Sequence, residues 1–390
     1  MSVVFVSNYL NHHQLPFCEA MLKKTNGQFW FVATMPTPEN RINIGYHDMN
    51  KHYPFVICAY ESEEAEKKAK SLITNAETVI AGSAPEEYLT DRIKEGQILF
   101  RYSERLYKQG YIYLLAPKRI KKMRVQHLVN RNKPVYMLCA SSFTSGDFAL
   151  NGAYRNKCFK WGYFPEVKEH DLDSLFEKKR NGHKVSILWA GRLIGWKHPD
   201  VSILIAEKLM EEGFDFDLTI IGDGEMKDDL EKMVINSGLQ NYVHLIGSLP
   251  PEEVREHMEA SSIFLFTSDC QEGWGAVLNE SMNSGCAVIA SDAVGSTGFL
   301  VHHNENGLTY RNGNINDLYS KVKMLVKDKK LTEDLGKAAY ETMVQMWNPE
   351  TAADRFLVLS EALQAGDGTP FADGPCSIAQ RKFGGKLYIS

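Results

Sequence analysis

The sequence lacks any arrangement of cysteines that would indicate a disulfide framework or a zinc site. Its 390 residues include seven cysteines, which are widely spaced and form no C-x-x-C pair. An odd, dispersed set of this kind is typical of reduced thiols in a cytosolic protein. The sequence therefore favours a cytoplasmic protein held together by an apolar core, for which its 44% hydrophobic residues are sufficient.

Long apolar runs are also missing. No run approaches the roughly 18 to 20 residues that a membrane-spanning helix needs. The N-terminus, MSVVFVSNYL, has neither a basic n-region nor a long apolar h-region, so no signal peptide is expected. Any membrane contact is therefore expected to be peripheral. The net charge is only −5, so no global basic character points to nucleic acid as a partner.

The pattern of apolar segments predicts two α/β domains. The second half alternates buried strands such as SILWAGRL (186–193) with helical segments of about 10 to 15 residues. This alternation predicts a doubly wound parallel sheet with helices on both faces. The first half is less regular but follows the same pattern. Ligands of such sheets bind at the carboxyl ends of the strands.

The domain boundaries follow from composition. An N-terminal domain is predicted over residues 1–165 and a second domain over 184–345. The charged stretch from Phe164 to Lys184, which is poor in strand formers, is interpreted as the linker between them. Residues 346–390 are predicted to form an amphipathic helix (347–364), which crosses back to the N-terminal domain, and a loop-rich tail.

The segment EGWGAVLNE places two glutamates, Glu272 and Glu280, eight positions apart around a glycine-containing turn. A fully helical segment would separate them by roughly 12 Å, comparable to the span from a ribose across a diphosphate to a hexose. Carboxylates accept hydrogen bonds from paired hydroxyls, and a helix N-terminus favours anions. Glu280 is therefore predicted to hold a ribose and Glu272 a sugar. The alternative is two solvated carboxylates on an amphipathic helix.

Three further strand ends carry polar or glycine-containing segments. In AGRLIGWKHP, Arg192 and Lys197 follow a strand and are suited to clamp a diphosphate, although two surface cations would give the same pattern. Gly222 ends the next strand in IIGDGE, where Lys227 stands in place of the third glycine of a dinucleotide-binding motif. Leu249, in IGSLP, is predicted to form a wall for a nucleotide base.

These four strand ends, in this order, resemble the C-terminal domain of the retaining GT-B glycosyltransferases of family 4. The resemblance rests on EGWGAVLNE, GRLIGWK and IIGDGE, and it implies a GT-B fold, with two Rossmann-like domains facing across a cleft. It also implies that Arg192 and Lys197 hold the diphosphate and Glu280 the ribose. By the same match, Glu272 holds the donor sugar and phosphate together with the backbone amides of the turn, which are those of Gly273, Trp274, Gly275 and Ala276.

The resemblance further implies a UDP-sugar or GDP-sugar donor, retention of anomeric configuration and no metal or other cofactor. One position departs from the family pattern, because Phe299 stands where a glutamate is common. The two D-x-D segments, DLD (171–173) and DFD (215–217), resemble the metal-binding motif of another transferase class. They are discounted because the first falls in the predicted linker and the second at the wrong end of a strand.

The loop after the first strand, SNYLNHHQLPF, is predicted to face the acceptor. Its candidates are Asn11, His12 and His13, which are suited to hydrogen bonding or proton relay. The alternative is helix capping by Asn11 with two exposed histidines. Glu104, after a later strand, is a further acceptor-side candidate, with a structural ion pair as the alternative.

Charge is unevenly distributed in the first half. From Arg105 to Gly146 there is no acidic residue, whereas nine lysines and arginines occur among aliphatic and aromatic residues. Such a mixture suits a segment lying on anionic lipid, and an ordinary solvated basic face is the alternative.

Together the motifs predict a glycosyltransferase that moves a sugar from a nucleotide-diphosphate donor to a saccharide or polyprenyl-linked acceptor. Cell-envelope or capsular polysaccharide synthesis, in the cytoplasm or at the inner face of the plasma membrane, would suit such an enzyme. Two alternatives stay open: a nucleotide-sugar epimerase or phosphorylase of the same fold, and a non-catalytic scaffold that binds saccharide.

Overall fold

The computed structural model describes residues 1–38, 48–180, 182 and 184–384. The chain forms two compact units. The first comprises Met1–Glu166 together with Asn348–Ser390, and the second comprises Val167–Trp347. The last residues of the predicted tail, 385–390, lie outside the described residues.

The first unit is built on a parallel seven-stranded sheet. Its strands are β1 (Val3–Ser7), β2 (Phe29–Ala33), β3 (Val56–Cys58), β4 (Thr78–Ala81), β5 (Leu99–Ser103), β6 (Val135–Cys139) and β7 (Cys158–Lys160). They are arranged in the order β3-β2-β1-β4-β5-β6-β7. Strand β1 is buried along its whole length, as expected for a central parallel strand covered on both faces.

Helices surround this sheet. Those of the first unit are Leu15–Lys24, Glu63–Asn75, Thr90–Lys94, Pro117–Met123, Thr144–Leu150 and Pro349–Ala365, with 3-10 turns at Met49–Lys51, Glu86–Tyr88 and Tyr111–Leu115 and a π-helix at Arg124–Leu128. The helix Pro349–Ala365 packs Phe356 against Phe100, with ring centroids 4.9 Å apart. The C-terminal segment that follows this helix forms an isolated antiparallel β-bridge with strand β7, in which Ile378 pairs with Phe159.

The second unit contains a parallel six-stranded sheet. Its strands are β8 (Val185–Ala190), β9 (Phe216–Ile221), β10 (Val243–Gly247), β11 (Ile263–Phe266), β12 (Ala287–Ser291) and β13 (Leu308–Tyr310). Their order is β10-β9-β8-β11-β12-β13. Counted within the unit this is 3-2-1-4-5-6, the Rossmann order, in which the strand sequence reverses between β8 and β11. Ligands of such sheets bind at that reversal point.

The helices of the second unit cover both faces of its sheet. They are Leu172–Arg180, Pro199–Glu211, Lys227–Asn236, Pro251–Ala260, Val277–Asn283, Thr297–Leu300, Ile315–Lys327 and Lys329–Gln345, with a 3-10 turn at Gly195–Lys197. Proline stands at the first position of two of them, where its missing N–H costs no hydrogen bond.

Two local details differ from the expectations. The boundary between the units, at Glu166 and Val167, does fall within the charged stretch from Phe164 to Lys184. The segment interpreted as a linker contains the helix Leu172–Arg180, and its Leu175 and Phe176 are buried. The segment from Glu272 to Glu280 is not fully helical, because residues 272–276 form an irregular turn and the helix begins only at Val277. The 12 Å spacing of the two glutamates therefore does not apply, since it assumed a continuous helix.

Candidate functional site

The predicted donor-site residues all follow strands of the second unit at the carboxyl edge of its sheet. Arg192 and Lys197 follow β8, Gly222 follows β9, and Leu249 follows β10. The segment from Glu272 to Ala276 follows β11, and Glu280 lies in the next helix. Because β8 and β11 are neighbours at the reversal of strand order, their loops lie side by side.

The contact between these two loops is an ion pair. The Lys197 Nζ atom lies 2.6 Å from Glu272 Oε2, and each side chain is only about one-eighth exposed, at 13% and 12%. The same carboxylate oxygen accepts a hydrogen bond from the Ser268 hydroxyl at 3.2 Å. A cation and a carboxylate that the sequence predicted separately are thus brought together in a largely buried site.

The position of Lys197 is fixed through its own backbone. The Thr267 hydroxyl donates to the carbonyl of Lys197 at 2.7 Å and accepts a hydrogen bond from the indole of Trp189 at 2.8 Å. The backbone amide of Asp269 donates to the carbonyl of Trp196 at 2.9 Å. These bonds join the end of β11 to the turn after β8, so the ammonium group is held at a defined place.

The residues at the end of β11 were not among the candidates predicted from the sequence. Thr267, Ser268 and Asp269 directly follow the strand, so their position at the carboxyl edge was the available signal. His198 Nε2 lies 3.7 Å from Asp269 Oδ2. Burial acts to raise the pKa of Asp269, but hydrogen bonds from His198 and Gln271 outweigh it and hold that pKa below its usual value. Asp269 is therefore ionised at neutral pH.

Both predicted phosphate-binding cations lie near one indole ring. The guanidinium carbon of Arg192 is 5.6 Å from the centre of the Trp196 ring, and Lys197 Nζ is 5.0 Å from it. Arg192 is exposed, whereas Lys197 is partly buried. The site thus has one cation fixed by an ion pair and a second that is accessible from solvent.

Gly222 supports the loop that carries Arg192. Its φ is +145°, and a Cβ atom at this position would lie 1.8 Å from the carbonyl oxygen of Gly191. The backbone amide of Gly191 also donates a hydrogen bond to the carbonyl oxygen of Ile221 at 3.0 Å. The glycine is therefore required for the close approach of two backbone segments, a structural role that the sequence did not predict for it.

Trp274 was predicted to contribute its backbone amide to the donor site, and its side chain belongs to the core. It is 1% exposed, its indole nitrogen donates to Asn279 at 2.8 Å, and its ring lies 6.1 Å from that of Trp347. Phe299 stacks on Trp347 with an interplanar angle of 13°. The family glutamate position is thus filled by a buried aromatic residue, and the side chain of Trp274 does not line the site.

The turn around Trp274 is tightly packed. Gly275 has φ +76°, and a Cβ atom there would lie 2.4 Å from the Phe266 ring. Within the described part of the chain, the backbone amides of Gly273, Gly275 and Ala276 donate to no acceptor. The turn therefore presents N–H groups beside Glu272, as an anion-binding turn would.

Glu280 is half-buried and its carboxylate accepts no hydrogen bond from a described residue. Burial raises the pKa of Glu280, and the positive charge of Arg255 opposes that rise only in part. Unlike Glu272, this carboxylate is not paired with a lysine. Leu249, at the end of β10, is half-buried and shares no described contact with the Lys197–Glu272 pair.

The acceptor-side candidates of the first unit lie near one another. Tyr163, which the sequence did not single out, donates from its hydroxyl to Glu104 Oε1 at 2.6 Å, and Glu104 also pairs with Lys108. The ring of His13 stacks on Tyr163, with centroids 5.6 Å apart, and lies 3.8 Å from the ring of His12. Aromatic and polar groups thus meet at the carboxyl edge of this sheet.

The structure contains the contacts that were considered as alternative roles for Asn11 and Glu104. The side-chain oxygen of Asn11 accepts from the amides of His13 and Gln14, at 3.1 and 3.2 Å, so Asn11 orders the turn before the first helix. The Glu104–Lys108 contact is the ion pair considered for Glu104.

The aspartate pairs have structural roles. Asp171 accepts hydrogen bonds from the amide and hydroxyl of Ser174. Asp217 pairs with Lys184 at 3.2 Å. Among the described residues, no group of three or more histidine, cysteine, aspartate or glutamate side chains is arranged to hold a metal ion. No helix in the same residues is long and apolar enough to cross a membrane.

Residues 172–342 match the family described as glycosyl transferases group 1. Over 194 residues, half of this chain, the sequence is 26% identical to a poly(ribitol-phosphate) alpha-N-acetylglucosaminyltransferase of Staphylococcus aureus. Over 154 residues, 40% of the chain, it is 31% identical to an uncharacterised glycosyltransferase of Methanocaldococcus jannaschii. These matches span 38% and 42% of the two relatives, so the chain covers less than half of their length.

Among solved structures, the Anabaena protein HepE in complex with UDP is similar over almost the whole chain. The alignment covers 94% of this chain and all of that one, with a TM-score of 0.66 and 17% sequence identity. Together with the two parallel-sheet units, this likeness shows that the chain has the GT-B fold. The family match in the second unit supports a glycosyltransferase.

Proposed function

We propose that the protein is a retaining, metal-independent glycosyltransferase that uses a nucleotide-diphosphate sugar. The observation that carries the proposal is the buried Lys197–Glu272 ion pair at the reversal point of the Rossmann sheet. It stands beside the amides of Gly273, Gly275 and Ala276, which donate to no acceptor among the described residues. Glu280, which follows four residues after Ala276, has a carboxylate that accepts no hydrogen bond from a described residue. This combination of groups suits an anionic ligand with hydroxyls at both ends.

In the proposed reaction, the bond between sugar and diphosphate breaks as negative charge develops on the leaving phosphate. Arg192 and Lys197 stabilise that charge, together with the amides of the turn after Glu272. Each fixed donor of this kind contributes about 3 kcal/mol to the barrier lowering. Lys197 meets this requirement because its backbone and its ammonium group are both held in place.

Two carboxylates orient the donor in this proposal. Glu272 accepts hydrogen bonds from hydroxyls of the sugar, and Glu280 accepts them from the ribose. Retention without a described nucleophile is explained by attack of the acceptor hydroxyl on the same face, with the diphosphate taking the proton. The shared motifs EGWGAVLNE and GRLIGWK support retention and independence of metal.

For the acceptor we propose a saccharide or a polyprenyl-linked saccharide, in cell-envelope or capsular polysaccharide synthesis. The stacked rings of His13 and Tyr163 suit a sugar face, and Glu104 suits its hydroxyls. The named activity of the Staphylococcus relative, which acts on poly(ribitol-phosphate), supports an envelope polymer. A cytoplasmic enzyme that also visits the inner face of the plasma membrane would meet such an acceptor.

Titration calorimetry with UDP and GDP, with and without a chelator, tests the donor proposal. We expect one nucleotide to bind equally well in both conditions, and Glu280→Ala to weaken that binding at least tenfold. The control is Lys232→Gln, which removes the exposed ion pair between Lys232 and Asp229. Lack of binding by either nucleotide would favour a saccharide-binding scaffold and end the proposal.

Turnover is tested by slow hydrolysis of a panel of nucleotide-sugars, with NMR of the released sugar to follow the anomeric configuration. Lys197→Met is expected to lower this rate by about 100- to 1,000-fold, as removal of one fixed donor does elsewhere. An inverted product would exclude retention while leaving donor binding intact.

A further inference from the structure

Five exposed aliphatic side chains are concentrated in one short segment of the first unit. The members and their exposed fractions are Ile112 (56%), Leu115 (78%), Ile120 (50%), Val125 (59%) and Val129 (68%). Among the described residues, thirteen large apolar side chains are exposed, and these five fall within 18 consecutive positions. Scattered apolar side chains are normal on a protein surface, whereas a concentrated set marks a contact surface.

Exposed cations lie between and directly after these aliphatic side chains. They are Lys118, Arg119, Lys121, Lys122, Arg124 and Arg131. No acidic residue occurs from Arg105 to Gly146. Within the described part of the chain, Lys118, Lys121, Lys122 and Arg124 form no ion pair. We call the five aliphatic and six basic side chains the basic–apolar surface. The charge of those four cations is therefore not neutralised by an ion pair with any described residue.

The basic–apolar surface rests on an ordered part of the fold. Nine of its residues lie on the 3-10 turn Tyr111–Leu115, the helix Pro117–Met123 and the π-helix Arg124–Leu128, and Val129 and Arg131 lie in the turn that follows. At one end, the Tyr111 hydroxyl accepts from the amide of Gly384 at 3.0 Å. In the middle, Met123 is buried. These anchors hold the aliphatic side chains outward while their helices stay packed.

We propose that the basic–apolar surface docks on an anionic lipid bilayer. Aliphatic side chains enter the boundary between headgroups and acyl chains, and lysines and arginines meet the lipid phosphates. A protein partner fits less well, because lysine is depleted in protein interfaces. Nucleic acid would be bound by the cations but would leave the five aliphatic side chains in water.

This inference deepens the proposed function. It rests on that function only in one respect, the claim that docking brings the enzyme to a lipid-linked acceptor. Docking itself is measured without nucleotide, sugar or acceptor. A failed docking experiment therefore leaves the transferase proposal standing, and loss of UDP or GDP binding leaves docking standing.

The first experiment tests the charge. The full-length chain is sedimented with vesicles of phosphatidylglycerol and phosphatidylcholine in equal parts, and with vesicles of phosphatidylcholine alone. We expect binding to the anionic vesicles, weakening as salt is added. Lys121→Gln with Lys122→Gln should lower the partition coefficient about 25-fold, at about fivefold per cation. Lys67→Gln with Lys68→Gln, also adjacent and exposed in the first unit, should change it less than about twofold.

The second experiment tests the aliphatic side chains. Leu115→Ser with Val129→Ser should remove the binding that persists at high salt, because that part depends on apolar insertion. Ile235→Ser, on a residue of the second unit that is 60% exposed, is the control and should bind as the wild type does. Equal binding to neutral vesicles, equal losses in the controls, or no sedimentation of the wild type would overturn the inference.

Discussion

Replacement of Lys197 by methionine tests whether the pair with Glu272 is a buried interaction. The variant removes the cation and keeps most of the length of the side chain. Two unit charges 2.6 Å apart attract by about 6 kcal/mol at an effective dielectric constant of about 20. Desolvation of both groups offsets a large part of this attraction. Removal of the lysine, however, leaves the carboxylate with the Ser268 hydroxyl as its described side-chain donor.

We therefore expect Lys197→Met to lower the free energy of unfolding by about 2 to 4 kcal/mol at neutral pH. The double variant with Glu272→Gln removes both charges and should recover about 1 to 2 kcal/mol of that loss, since no unpaired charge is left behind. Urea denaturation at pH 7, followed by circular dichroism, measures all three proteins.

The control is Lys232→Met, which breaks the pair with Asp229. In that pair the charged atoms are 3.1 Å apart and the side chains are 69% and 76% exposed. Exposed pairs contribute about 0 to 1 kcal/mol. If Lys197→Met were no more destabilising than Lys232→Met, the claim that burial makes the Lys197–Glu272 pair strong would be refuted.

Two further predictions concern stability. Burial raises the pKa of Glu280, so the carboxyl group keeps its proton to a higher pH in the folded protein than in the unfolded chain. The free energy of unfolding should therefore fall as the pH rises from the ordinary carboxyl range through the raised pKa. Glu280→Gln should remove this slope and be the more stable protein at pH 7, and parallel pH profiles would contradict the assignment. Gly222→Ala should cost at least about 3 kcal/mol in urea denaturation, because its Cβ meets the Gly191 carbonyl at 1.8 Å. Gly195→Ala, which meets nothing within 4 Å, should cost less than about 1 kcal/mol.

The central strands of both sheets were predicted from sequence because their residues are continuously apolar and β-branched. The three-residue strands β3, β7 and β13 were missed. A run of three residues shows no periodicity, and each of these becomes a strand only by pairing with a longer neighbour.

The helix Leu172–Arg180 was missed for a different reason. Its sequence is dominated by charge, yet Lys179 is buried and donates to the carbonyl of Met258 at 3.0 Å and to that of Ser261. Burial lowers the pKa of Lys179. A buried lysine that is bound by backbone carbonyls of a distant segment has no signature in local sequence, so the charged stretch resembled a linker.

In the candidate site, too, local sequence predicted some features, whereas others depend on contacts between distant segments. The strand ends located Lys197 and Glu272 at one edge of the sheet, because parallel strands share an edge, but their direct pairing needed coordinates. The burial of the Trp274 ring could not be predicted from local sequence, because its neighbours in the core, Phe299 and Trp347, come from segments 25 and 73 positions away.

The position of the Trp196 ring beneath two cations has a practical consequence. Indole emission responds to charge close to the ring, and Arg192 and Lys197 lie within 5.6 Å of it. Any anion that draws either side chain away must change that emission. The protein therefore contains its own optical reporter for this loop, and a Trp196→Phe variant would identify its share of the total fluorescence.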